Sequence, residues 1–478
     1  MRHETLLIPD AASPAGAVEV TNPYDGSAIA RVDTAGAAHV EQALAVAHGL
    51  YRNRSGWLEV HERVAILDRL AELMQEQFEA LVADAAAEGG KPRADSEVEV
   101  RRAIDGVRIC TEVIRTDQGA MIPMGTTAAG AGRVAFTRRE PVGVVVAVSA
   151  FNHPVNLIVH QVAAAVAAGC PVIVKPAEDT PLSCFNFVRL LHTAGLPAAW
   201  CQALLTDEHG TAEALVTDKR VGFFSFIGSA RVGWMLRSKL APGTRCALEH
   251  GGVAPLIVAA DADLKLAVPA IAKAGFYHAG QVCVSVQRVF AHSAVVAELA
   301  RDLTAAAVAL KVGDPLEHDT DVGPLIRSRE LDRVDEWVSE AVAAGAELLC
   351  GGKPLSASCY APTVLLNPPV DAKVSTQEVF GPVVCVYAYD DIDAAIAQAN
   401  SLPVSFQAAV YTASLDTAMY AYAQLDGSAI MVNDHTAFRV DGMPFAGLRE
   451  SGLGVGGIPH TIADMSIEKM LVIKSDGL

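Results

Sequence analysis

The chain has 478 residues, 51% of them hydrophobic and 19% charged, with a formal net charge of −18. That length exceeds one simple core and implies two or three domains, and the composition excludes a disordered chain. The acidic balance excludes a general nucleic-acid or anionic-membrane surface, while leaving room for a small basic pocket.

Nine cysteines, an odd number, lie scattered without a C-x-x-C pair or a His/Cys cluster at metal spacing. They point to a reducing, cytoplasmic setting and to no metal site. The opening MRHETLLIPDAASP has charges and a proline where an export signal needs an apolar run. Pro141 to Val174 carries no Asp, Glu, Lys or Arg, but Asn152, His153, Pro154, Asn156, His160 and Gln161 interrupt it. It reads as strand, loop, helix and strand inside a large domain, not as a membrane span.

Taken in order, the first thirty-odd residues mix loop and strand. The periodicity predicts helices over 37–51, 60–87 and 94–115, the last two separated by the breaker Gly89-Gly90-Lys91-Pro92. Thr116 to Arg138 has glycines at 125, 130 and 132 and the alternating stretch RVAFTRR, which predicts a two-stranded excursion needing a partner. Strand runs at 142–149, 171–175 and 222–226 then alternate with helices over 156–168 and from Thr180, with Pro181 in the first turn. This alternation predicts a doubly wound parallel sheet with its ligand at the strands' carboxyl ends. A second α/β round follows from about 254 to 435, with strands near 255–258, 287–292, 383–389 and 408–411. The strand-like SIEKMLVIK at 466–474 would partner the early excursion, with pairing across subunits as one option.

The chemistry centres on FYHAGQVCVSVQR at 276–288, where Cys283 falls between a helix-like and a strand-like segment. A cysteine there is either a small buried apolar residue or a nucleophile on a tight turn. Glu249 in ALEHGG, before Gly251-Gly252, is a candidate general base, or a solvated glutamate. Asn152 in SAFNHP is a candidate oxyanion donor, or an Asx-turn residue. Lys175 and Glu178, just past a strand, could grip a ribose or form a surface pair of little worth. FIGSARVG places Gly228-Ser229 ahead of a helix, with Gly233 further on, a backbone suited to a pyrophosphate though not the G-x-G-x-x-G fingerprint.

Together the stretches K-P-A-E (175–178), F-I-G-S (226–229), E-H-G-G (249–252), G-Q-V-C (280–283), E-V-F-G-P (378–382) and P-F-A-G-L-R-E-S-G (444–452) occur in an order and spacing that resembles the aldehyde dehydrogenase superfamily over nearly the whole chain. The resemblance implies an α/β aldehyde dehydrogenase-like fold: two doubly wound domains, one Rossmann-like for coenzyme and one catalytic, plus a small β-hairpin oligomerisation module. The expected division is 1–116 and 139–247 for coenzyme, 248–435 for catalysis, 436–459 returning to the coenzyme domain, and 117–138 with 460–478 for assembly as a homodimer or homotetramer.

The resemblance also implies Cys283 as nucleophile, Glu249 as base for hydrolysis and Asn152 as oxyanion donor. Lys175 and Glu178 would hold the adenosine ribose of NAD, with NADP disfavoured by the carboxylate. Ser229 would lie near the pyrophosphate, Glu378 on the nicotinamide ribose and Phe380 against the ring. The chain departs from the pattern at Ile227 (usually threonine), at TDEHGT (206–211) with only Gly210, at His250 and Val253 beside the base, and at Arg449 (usually lysine).

By the same analogy His153, Asn156, Leu157, His160, Tyr277, Val282 and Val284 line the substrate tunnel. The set is polar and similar to the branch acting on small hydroxylated or anionic aldehydes. Arg439 in HTAFRVDGMPF could pair with a substrate carboxylate or phosphate, although an ordinary surface or subunit ion pair is the commoner fate of such a residue. Three rivals compete: a CoA-acylating dehydrogenase, which generally lacks the glutamate at 249; a non-catalytic protein keeping the fold; and a cysteine hydrolase using His278, which leaves the ribose-binding stretches unexplained.

Overall fold

The computed structural model describes residues 2–477, and its strands form five sheets. The six-stranded sheet runs, edge to edge, Gly452–Leu453, Arg245–Glu249, Val221–Ile227, Val144–Val148, Val172–Lys175 and Cys201–Ala203. All its pairs are parallel except the one made by Gly452–Leu453. Such strands are covered on both faces, which is why VVVAV and VIVK read as unbroken apolar runs. Register aligns Val148 with Lys175 and Phe226, and Ile227 with Glu249, so these residues share one carboxyl edge.

The seven-stranded sheet runs Glu347–Cys350, Thr363–Leu366, Val383–Tyr389, Val286–His292, Ala254–Val258, Gln407–Tyr411 and Ala429–Val432, again parallel apart from its first pair. The six-stranded sheet lies between two apolar clusters, one on each face, and the seven-stranded sheet is buried in a third. Here the expectation of a ligand at carboxyl ends meets its limit. The loops carrying Gly251, Cys283 and Glu378 precede three neighbouring strands, so the second sheet offers its amino ends to the cleft.

Other expectations shift locally. The helix read over 60–87 is two, Val60–Glu76 and Phe78–Gly89, broken at Gln77. The stretch 156–168 is helical but widens into a π-turn at Val159–Ala163. Ser466–Lys474 pairs with Arg133–Pro141 of the same chain along its whole length, so the partner of the excursion is internal. No helix among the described residues is long and apolar enough to cross a membrane.

That pairing is locked by Glu140, which is buried and accepts hydrogen bonds from Arg54 (2.8 Å), Arg138 (2.7 Å) and Lys469 (3.1 Å). Burial alone would raise its pKa, but the three donors reverse this and hold it at about 2. A carboxylate depressed in the folded state contributes stability that is present above its unfolded pKa and lost as pH falls through the folded one. Glu140→Gln should therefore lower unfolding free energy at pH 7 by about 2–3 kcal/mol. In urea titrations the gap from the parent should close as pH falls from about 4.5 towards 2.

Candidate active site

The facing edges of the two sheets enclose a cavity of about 980 Å³. Cys283 sits where the helix Leu264–Phe276 gives way, through the tight turn Tyr277–Gly280, to the strand Val286–His292. His278 (φ 47°) and Ala279 (φ 53°) occupy the left-handed region, a strained state for residues with a Cβ. Surrounding contacts hold them there. The Asp95 carboxylate accepts from the His278 N–H, and Gly280 (φ 72°) lies so close to the Gly381 carbonyl that a Cβ would fall 2.1 Å from it. The Gln281 side chain clamps the turn to the Pro324 carbonyl and the Ile326 N–H.

Asn152 reaches the same loop from the other sheet. Its Nδ2 donates to the Gln281 carbonyl at 2.9 Å, which aims the amide at the neighbourhood of Cys283 and leaves its second N–H for a ligand. The loop carrying Asn152 is pinned by Glu99, whose Oε1 accepts from the N–H groups of Val155 (2.8 Å) and Asn156 (2.9 Å). Glu99 is itself ion-paired to Lys91, both fully buried.

Glu249 ends the strand Arg245–Glu249, so the base candidate stands on a sheet edge and only the residues after it form the turn expected for it. The Gly252 N–H donates to the Cys283 carbonyl at 3.2 Å, joining that turn to the nucleophile loop. Burial pushes the Glu249 carboxyl pKa up, opposed by the charge of Arg439. Burial likewise pushes the Cys283 thiol up to about 12, with Arg439 acting against it and Glu378 and Glu249 adding to it. His250 points away from Cys283: its Nδ1 meets the Gly228 carbonyl at 2.9 Å and its ring packs between Phe226 and Trp234.

At the other end of the cavity Lys175 is buried with no carboxylate partner among the described residues, its Nζ making a 3.4 Å contact to the Pro176 carbonyl. Glu178, Gly228 and Ser229 line the wall beside it, and the helix Ala230–Arg237 begins there without a side-chain cap. Glu378 is half-buried, with its enclosed Oε1 unpartnered among the described residues and its pKa pushed up to about 8 by desolvation. Phe380 stands edge-on to Phe151. A free lysine, an exposed helix start and an orphaned carboxylate oxygen are the donors and acceptors a dinucleotide's ribose and phosphate groups require.

His153, Asn156, Leu157, Tyr277, Val282, Val284 and Arg439 also line the cavity. Two predicted residues do not. Gly233 lies beneath the His250 ring, where a Cβ would fall 2.0 Å from it, so its smallness serves packing. His160 lies behind the wall, on Asp441 and Arg439. Arg439 makes no salt bridge among the described residues, so the ion pair expected for it is not formed within this chain; it lies 3.6 Å over the Phe445 ring with Nε unpartnered.

Residues 10–471 match the aldehyde dehydrogenase family. The chain belongs to the aldehyde dehydrogenase family. It is 38% identical to the 3-sulfolactaldehyde dehydrogenase of Priestia aryabhattai over 456 residues, 95% of this chain and 94% of that one. The aldehyde dehydrogenase 21 of Physcomitrella patens, solved with the reaction product succinate, superposes with a TM-score of 0.95 at 32% identity, covering 100% of this chain and 99% of that one. The glyceraldehyde-3-phosphate dehydrogenase of Methanocaldococcus jannaschii, solved with NADP, gives 0.91 at 31%, covering 96% and 99%.

Within this aldehyde dehydrogenase site, sequence reasoning missed Asp95, Glu99, Arg102 and Asp441. One signal was available: 95, 99 and 102 fall on one face of the helix Arg93–Thr116, alongside the buried positions 96, 100 and 103. Charges on a helix's buried face demand partners. The close packing of Gly251 gives a test. A Cβ there would fall 1.6 Å from Glu378 Oε1, the movable end of a side chain. Gly251→Ala should barely change the melting temperature yet weaken dinucleotide binding about tenfold, about 1.4 kcal/mol, by calorimetric titration.

Proposed function

We propose that the chain oxidises small polar aldehydes to carboxylic acids by a hydrolytic route, with NAD as its dinucleotide. The observation that carries the reading is the convergence of Cys283, Asn152 and Glu249 at one end of a cavity whose other end presents Lys175, Glu178 and Glu378. The Cys283 sulfur, once deprotonated, attacks the aldehyde carbon, and the carbonyl π pair moves onto oxygen. The second N–H of Asn152 and the Cys283 N–H receive that oxyanion, a donor of this kind contributing about 3 kcal/mol. When bound, the nicotinamide supplies the two-electron acceptor that takes the carbon's hydrogen as hydride. The acyl group then rests on Cys283 as a thioester. Glu249 takes a proton from water as the water oxygen adds to the acyl carbon, and the cysteine sulfur leaves, releasing the acid.

Glu178 beside the ribose position favours NAD over a 2′-phosphorylated coenzyme by charge repulsion. Arg439, unpaired among the described residues, favours aldehydes with an acidic substituent. Relatives named for a sulfonated and a phosphorylated aldehyde, and one holding succinate, support that preference. We keep the division into coenzyme, catalytic and assembly parts, and self-association through the sheet edge Ser466–Lys474, where Met470, Leu471, Val472 and Ile473 are exposed. The cysteines are unpaired among the described residues, which suits a reducing cytoplasm.

The deciding experiment is NADH formation on a panel of short aldehydes, with NAD or NADP and with or without CoA. Turnover with NAD alone is expected; turnover that requires CoA would instead favour the acylating rival. Glu249→Gln should give one burst of NADH and then stall, and full steady turnover in that variant would remove Glu249 from the mechanism. Arg439 lowers the Glu249 pKa, so Arg439→Met should raise it. Because the base works deprotonated, the acid limb of the deacylation profile should move to higher pH in that variant.

A further inference from the structure

Behind the wall that carries Arg439 lies a buried polar cluster that the catalytic scheme does not use. Asp441 and His160 are almost fully buried. Asp441 accepts from Arg102 through Nε (3.1 Å) and Nη2 (2.8 Å), and from Asn156 Nδ2 (3.0 Å). His160 Nε2 lies 2.7 Å from Asp441 Oδ1. A carboxylate can only accept, so Nε2 carries the ring proton and Nδ1 keeps a lone pair. That lone pair faces Arg439 Nη2 at 3.5 Å. The ring takes this position in the π-turn Val159–Ala163, the widened stretch of its helix.

The charge of Asp441 is thus matched by Arg102, and Arg439 meets only a neutral acceptor and the Phe445 face. A neutral acceptor orients a guanidinium without cancelling its charge; a carboxylate at 160 would quench it, and an apolar side chain would release it. We infer that His160, anchored by Asp441, is a positioning residue that aims Arg439 into the cavity and thereby sets the preference for an acidic substituent. The inference rests on the reading of Arg439 given above.

The test uses the full-length protein with its coenzyme and compares kcat/KM for a four-carbon aldehyde bearing a terminal carboxylate with that for butanal. The ratio of the two is the readout, since general damage to the site lowers both alike. His160→Leu and Arg439→Met should each lower the ratio tenfold or more. His160→Gln, which keeps an N–H donor and an oxygen acceptor, should recover most of it. The double variant His160→Leu/Arg439→Met should fall no lower than Arg439→Met alone, because one effect runs through the other. A ratio lowered by Arg439→Met but unchanged by His160→Leu would overturn the inference and leave the Arg439 reading standing. A ratio unchanged by Arg439→Met would sink that reading, and the inference with it. If His160→Leu shows no cooperative melt, His160→Met, which also removes the acceptor facing Arg439, carries the comparison. A drop seen with Arg439 present but absent in the Arg439→Met background supports the inference, and equal drops in both overturn it.

Discussion

The site depends on one buried ion pair. Lys91 and Glu99 lie wholly inside the protein, where stripping two charges of water costs several kcal/mol each. Their mutual attraction offsets part of that, and the rest is met by the N–H groups of Val155 and Asn156, which donate to the Glu99 oxygen left over from the lysine. The consequence is positional. A loop between a strand and a helix would otherwise be mobile, yet it presents Asn152, His153 and Asn156 from fixed backbone. Asp95, one turn before Glu99, does similar work on the opposite side by accepting the His278 N–H and pairing with Lys273. One helix end therefore sets the spacing between the Asn152 loop and the Cys283 loop, although they belong to different sheets.

Low dielectric governs the rest of the cavity. Burial pushes the acids Cys283, Glu249 and Glu378 up and the bases His153, His160 and His278 down, so each is biased towards its neutral form. Against that background Arg439, like Lys175, is a cation with no carboxylate partner among the described residues, and the field of Arg439 opposes the desolvation of both Cys283 and Glu249. On the function proposed above, the residue that would meet an acidic substituent also eases ionisation of Glu249, so substrate preference and deacylation would be electrostatically coupled.

Much of this was legible in the chain. The apolar runs at 144–148 and 172–175 announced parallel strands because both their faces are covered. Short motifs marked Cys283, Glu249, Asn152 and the cavity-lining Lys175, Glu178 and Glu378, since their chemistry constrains residue type and local turn together. The strand Arg245–Glu249 was not legible: RCALE mixes charge and apolar residues, and only its place beside Val221–Ile227 makes it a strand. Gly233 misled because a glycine near a helix start suits a phosphate, whereas here it makes room for His250, a neighbour distant in sequence.

The sequence by itself determined the alternation of strands and helices, the family, and which residue types stand on the loops, because periodicity and turn chemistry are local. Tertiary structure alone decided that one sheet contributes carboxyl ends and the other amino ends to a shared cleft. It alone decided that Ser466–Lys474 pairs within its own chain, that His160 stands behind the wall, and that Arg439 is left without a carboxylate while Arg102 claims Asp441. The physical reason is the same each time. Desolvation and pairing are settled by neighbours hundreds of residues apart, and only packing says which charge is matched and which is left for a ligand.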